Sequence, residues 1–80
     1  MNIQLIKGSF HVNDSIELMN QLVQVKIKFH EQQVNKSYNE EDIKMRESRI
    51  KQLQNDLADA RQYLLTYSDK VTMDCVLSID

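Results

Sequence analysis

In the second half of the chain, Ile43, Arg46, Ile50, Leu53, Leu57, Ala60, Leu64 and Tyr67 recur at alternating steps of three and four. On an α-helix that spacing gathers them into one narrow seam, the pattern of a helix that lies along another helix. It predicts a helix over about 40–67. Upstream, Leu18, Leu22, Val25 and Phe29 form one apolar stripe, taken here as the matching seam, and Ile16, Met19, Val23, Ile27, His30 and Val34 form a neighbouring one. A helix over about 14–35 would therefore carry an apolar face too broad for one partner to cover. Val23-Gln24-Val25-Lys26-Ile27-Lys28-Phe29 also alternates as a half-buried strand would. No Gly, Pro or Asn-Gly stands between Leu22 and Val34 to turn a helix into a strand, which favours the helix.

The two ends follow a shorter period. Ile3 and Leu5 alternate before Gly8 and Phe10, predicting a short strand over about 2–10 that ends near a kink or bulge. Val71, Met73, Cys75, Leu77 and Ile79 alternate with Thr72, Asp74, Val76, Ser78 and Asp80, predicting a second strand over about 71–79. Asn13-Asp14-Ser15 supplies capping oxygens, and Asp14 with Glu17 imitates a capping box, which puts the first helix start near residue 14. Residues 36–39, Lys36-Ser37-Tyr38-Asn39, form the polar gap between the helices, and Ser37 with Glu40 reproduces the S-x-x-E box. Glu40, Glu41 and Asp42 then load the next first turn with the negative charge that a helix dipole favours.

So short a gap makes the helices antiparallel neighbours, and folding about Ser37 sets Leu53 against Leu22, Leu57 against Leu18 and Arg46 against Phe29. The hairpin returns the chain to its starting end, where the terminal strands can pair. The expectation is one α+β domain over 1–80: a long, coiled-coil-like antiparallel two-helix hairpin flanked by N- and C-terminal strands, in the order β-α-α-β, completed by dimerisation.

Size sharpens that last point. An 80-residue chain buries a small share of its surface, so its core is marginal without staples or association. The single cysteine, Cys75, forms no internal disulfide, and no Cys/His cluster has zinc spacing. Two strands alone are marginal and leave unpaired edges. A second copy supplies further strands and covers the surplus stripe, so a symmetric homo-oligomer, with a dimer favoured, is expected. No apolar run approaches the about 20 residues needed to cross a bilayer, and Met1 to Lys7 lack the basic start and apolar centre of a signal peptide. A cytoplasmic protein without membrane contact is expected. One glycine, no proline and 28% charged residues point to a helix-rich chain rather than a disordered one.

Candidate chemistry is sparse. Arg46, the one charge on the seam, either sets register or rests its stem on Phe29 with its guanidinium in water, and the second reading is preferred. His11 and His30 have no ligand-type residues at metal spacing, and Glu31 beside His30 is explained by an exposed helix position. Cys75 lies on the apolar face of its strand, with no neighbouring base to activate it, and reads as a small hydrophobe. Glu40, Glu41, Asp42 and Glu47 serve capping and solvation, and Tyr63 and Tyr67 pack beside the strands. No phosphate loop or nucleophile motif is present. An enzyme is not expected, nor is a cofactor or metal.

Lys26, Lys28, Lys36, Lys44, Arg46, Arg49 and Lys51 concentrate positive charge near the hairpin tip, but Glu31, Glu40, Glu41, Asp42 and Glu47 share that region and the chain is net −2. Pairs such as Glu40 with Lys44 and Glu47 with Lys51 support the helix instead of forming a nucleic-acid footprint. The functional expectation is a small protein–protein interaction or assembly module, with another protein as a further partner. The alternative is a nucleic-acid-associated regulator using the basic half of the hairpin.

Overall fold

The computed structural model describes all residues, Met1–Asp80. Strand β1 (Asn2–His11) is followed by helix α1 (Val12–Lys36), helix α2 (Glu40–Leu64) and strand β2 (Lys70–Ser78), so the order is β-α-α-β. Residues 22–30 are helical, and the β-branched alternation within them gives way to the helix. The absence of a turn signal decides this, because a strand there would need the chain to leave α1 with nothing to reverse it.

The helix boundaries differ from the expected ones for identifiable reasons. α1 begins at Val12, directly off the strand, and no side chain caps it. Val12 N–H donates instead to Asp69 O at 3.0 Å, so one otherwise orphaned helix donor is satisfied by the opposite chain segment. Asp14 sits inside the first turn rather than at the cap. At α2 the cap is Asn39, whose Oδ1 accepts from Glu41 N at 2.9 Å and Asp42 N at 3.3 Å. Ser37 ends α1, and its hydroxyl accepts from Asn39 N at 3.2 Å, so it shapes the turn instead of capping the second helix. α2 stops at Leu64, not at residue 67: Leu65, Thr66 and Tyr67 donate their N–H groups to Arg61, Tyr63 and Leu64 in a closing turn.

β1 and β2 form a two-stranded antiparallel sheet. Asn2 opposes Ser78 and His11 opposes Lys70, with the register shifting by one between Gln4 and Ile6. Leu5 is the extra residue, and that bulge keeps Ile3 and Ile6 on one face with Gly8 and Phe10, opposite Leu77, Cys75, Met73 and Val71. Leu5 therefore does not share the face of Ile3, and it is exposed. Gln4 fills the bulge: its Nε2 donates to Ile6 O at 2.8 Å, to Cys75 O at 3.1 Å and to Asp74 Oδ1 at 2.7 Å. The irregularity is thus centred on Leu5, three residues before the expected place. Gly8 carries a second one, a φ of 144° that side-chain-bearing residues rarely adopt.

Laid end to end, a 25-residue helix and a 10-residue strand would reach about 70 Å. The longest dimension is 46 Å and the next 32 Å, so the strands run across the base of the hairpin instead of extending it. The third dimension is only 14 Å. The molecule is a flat slab with little room for an interior, and only Ser15, Ile27 and Leu64 are buried. No helix is long and apolar enough to cross a membrane.

Candidate functional site

Each helix turns one stripe toward the other. On α2, Ile43, Arg46, Ile50, Leu53, Leu57 and Ala60 are half-buried and Leu64 is buried, while Tyr67 lies past the helix end and is exposed. On α1 the inward positions are Ser15, Ile16, Met19, Val23, Ile27, His30 and Val34. The stripe taken as the α1 seam lies to one side: Leu18 is half-buried, but Leu22, Val25 and Phe29 are exposed, Val25 to 69% and Phe29 to 52%. The rotation of α1 is set at its base. Val12 is tied to Asp69 O, Ser15 is fully enclosed, and steps of four from Ser15 lead to Met19, Val23 and Ile27. Once that face is inward, Leu18, Leu22, Val25 and Phe29 are left as a continuous ridge one helical position away.

The ridge does not stand alone. An open cleft of about 380 Å³ is lined by Phe10, Asp14, Glu17, Leu18 and Gln21, so Phe10 of the sheet and Leu18 of the ridge border one hollow. Phe10 belongs to the face that carries Ile3, Ile6, Val71, Met73 and Cys75, all half-buried. The apolar face of the sheet and the α1 ridge therefore meet at this hollow, through Phe10 and Leu18, with Asp14, Glu17 and Gln21 around it. The outer side of α2 differs in kind: Lys44, Glu47, Ser48, Lys51, Gln52 and Asp56 are all exposed.

The hairpin tip holds the most organised polar group. Arg46 Nε donates to Asp42 Oδ2 at 3.4 Å, one turn back on α2, and Arg46 Nη1 approaches His30 Nδ1 of α1 at 3.2 Å. Its guanidinium carbon lies 6.0 Å from the Phe29 ring centroid, and the Phe29 and His30 rings meet edge to face. Arginine only donates, so His30 Nδ1 accepts and the ring proton sits on Nε2. That nitrogen is enclosed without a partner. The arrangement joins the two helices through a charged hydrogen bond and rests the cation beside an aromatic ring. It offers no convergent nucleophile or acid–base pair. The Asp42–Arg46 half was readable as an i,i+4 pair, whereas His30 enters only through the hairpin register.

The remaining candidates are scattered. His11 Nδ1 lies 3.4 Å from Asp69 Oδ1, with both side chains exposed, and no three His, Cys, Asp or Glu side chains converge as metal ligands would. Cys75 is a free, half-buried thiol opposite Ile6. Tyr63 and Tyr67 bring their hydroxyls to 3.1 Å and their rings edge to face. The hydrogen bond with Tyr63 raises the Tyr67 phenol above the ordinary tyrosine range, helped by repulsion from a Tyr63 phenolate. Both rings are exposed at the helix end, not packed beneath the strands. Lys44, Arg49 and Lys51 are exposed, but Lys44 and Lys51 line a shallow hollow together with Glu47, so the positive charge is interleaved. Comparison with family models, curated proteins and solved structures returns no match.

Proposed function

We propose that the chain is a non-catalytic assembly module that works as a symmetric homodimer, with a second copy covering the apolar surface that runs from the sheet onto α1. The observation that carries this reading is the missing core. A compact 9.4 kDa chain is expected to expose about 5,000 Å², and this one exposes 6374 Å², a surplus of about 1,400 Å². A standard protein–protein interface removes about 800 Å² from each partner, so the surplus on this one chain is more than enough for one such contact. The radius of gyration agrees, at 15.1 Å against about 12 Å for a compact chain of this length.

A two-stranded sheet and a hairpin that bury three residues have little hydrophobic gain to set against chain entropy. A second copy supplies that gain with the same surface, which is the self-complementarity of a two-fold contact. The polar outer side of α2 stays free for another protein, as an assembly module needs. Sedimentation equilibrium between 1 and 100 µM tests the reading. The expected mass is twice 9.4 kDa at tens of micromolar, and a monomer there refutes it.

A further inference from the structure

The sheet has two free edges, and they are not equivalent. β1 is interrupted twice, by the bulge at Leu5 and by the positive φ of Gly8, and a broken, twisted edge resists further pairing. β2 has neither glycine nor bulge over its 9 residues. Its free edge can be read from the hydrogen bonds on the other side. Met1 and Ile79 exchange backbone bonds of 2.7 Å, Cys75 O accepts from Gln4, and Asp69 O accepts from Val12. Odd-numbered residues of β2 thus aim their backbone groups at β1. Lys70, Thr72, Asp74, Val76 and Ser78 aim theirs outward, where no strand receives them.

We propose that this edge of β2 pairs antiparallel with β2 of a second copy, with the two-fold axis passing between Met73 and its counterpart. The inference rests on the symmetric-dimer reading above and adds to its apolar contact a backbone one, at the edge of the sheet. Both apolar faces lie on the same side of the joined sheet only if even residues oppose even residues, which limits the register to steps of two. Centring on Asp74 would overlap the whole strand but set two carboxylates directly opposite one another. Centring on Met73 removes that clash. It places Thr72 opposite the second copy's Asp74, where a hydroxyl can donate to the carboxylate, and puts Lys70 diagonal to the same Asp74. On the apolar face it places Val71 opposite Cys75 and Met73 against Met73. The result is a four-stranded sheet in the order β1-β2-β2-β1 whose only remaining edges are the two interrupted ones.

Two variants test this beside the unsubstituted protein. In a Cys75→Ala background, Met73→Cys sets two thiols across the axis in a non-hydrogen-bonded pair, about 4.5 Å apart at Cα and within disulfide reach. Mild oxidation should convert most of that variant to a covalent dimer under native conditions and little of it in denaturant. Thr72→Pro removes an outward N–H without touching the β1 ladder, so it should keep its far-UV circular dichroism and sediment as a monomer. A wild-type monomer overturns the dimer reading itself. A wild-type dimer whose Met73→Cys variant does not cross-link, and whose Thr72→Pro variant remains dimeric, overturns the edge pairing alone. Oxidation through Cys75 in the unsubstituted protein places the axis two residues further on and overturns this register.

Discussion

Ser15→Ala should make the protein more stable. Ser15 is the most enclosed side chain in the molecule, 0% exposed, and its hydroxyl has no hydrogen-bond partner. Keeping a hydroxyl out of water without a compensating bond costs about 1–3 kcal/mol by mutational measures. Alanine removes that cost and adds about 0.5 kcal/mol of helix propensity in α1. Against this stands the loss of one oxygen's packing contacts, at about 0.1–0.2 kcal/mol for each well-placed atom pair. The net expectation is about 1–2 kcal/mol of stabilisation. For a domain of this size, that raises the melting temperature by about 5–15 °C. Calorimetry and urea titration at one fixed protein concentration measure it, since association would make both concentration-dependent. Ser15→Val is the companion: added methyl groups in a fully enclosed position should cost about 1–3 kcal/mol. A lower melting temperature for Ser15→Ala would mean that the hydroxyl is bonded and would refute the reasoning.

Three further outcomes are expected. Ile27→Ala removes most of a side chain that is 2% exposed between the helices and should cost about 2–4 kcal/mol in urea titration; a loss below about 1 kcal/mol would show that the hairpin does not depend on this contact. Asn39→Ala strips the α2 cap and should cost about 1 kcal/mol by thermal melting, while Ser37→Ala costs clearly less; the reverse order would restore Ser37 as the cap. Fluorescence anisotropy with duplex or single-stranded nucleic acid should show no binding tighter than about 10 µM near physiological salt, because acidic residues sit among Lys44, Arg49 and Lys51. Tighter, steeply salt-dependent binding that Gln at those three positions abolishes would favour the regulator reading.

The element order was legible because period and punctuation agree along most of the chain. The alternation from Val71 to Cys75 has no helical interpretation, and Ser37 to Asn39 is the one polar break between two long helical stretches. What escaped was phase. Two apolar stripes on α1 lie one position apart, and the stripe that turns inward is the one in line with the enclosed Ser15, next to Val12 and its bond to Asp69. The bulge escaped for a similar reason. Ile3 and Leu5 alternate regularly, and only the pairing of both Ile3 and Ile6 with the inner face of β2 shows that a residue has been inserted. Ser37 and Asn39 can both accept from a helix start, and the end of α1 at Ser37 leaves Asn39 to cap α2. The tip cluster was half visible, in Asp42 and Arg46, since His30 belongs to the other helix.

The pairing of β1 with β2 joins the two ends of the chain, down to the bonds between Met1 and Ile79, whereas the hairpin joins residues that are near in sequence around its tip. These two kinds of contact differ in the length of chain that must close to form them. Strand pairing from an unfolded chain must close a loop spanning nearly the whole sequence, but a formed hairpin has already brought His11 and Lys70 to the same place. Folding should therefore run from the tip downward, with the sheet zipping last and opening first. The free edge of β2 then exists only on chains whose hairpins are complete, so a second copy would meet a finished surface and not a nascent strand. With the edge pairing proposed above, such an order would delay the display of a sticky edge until a correct partner edge is ready, a kinetic safeguard against aggregation supplied by chain connectivity alone.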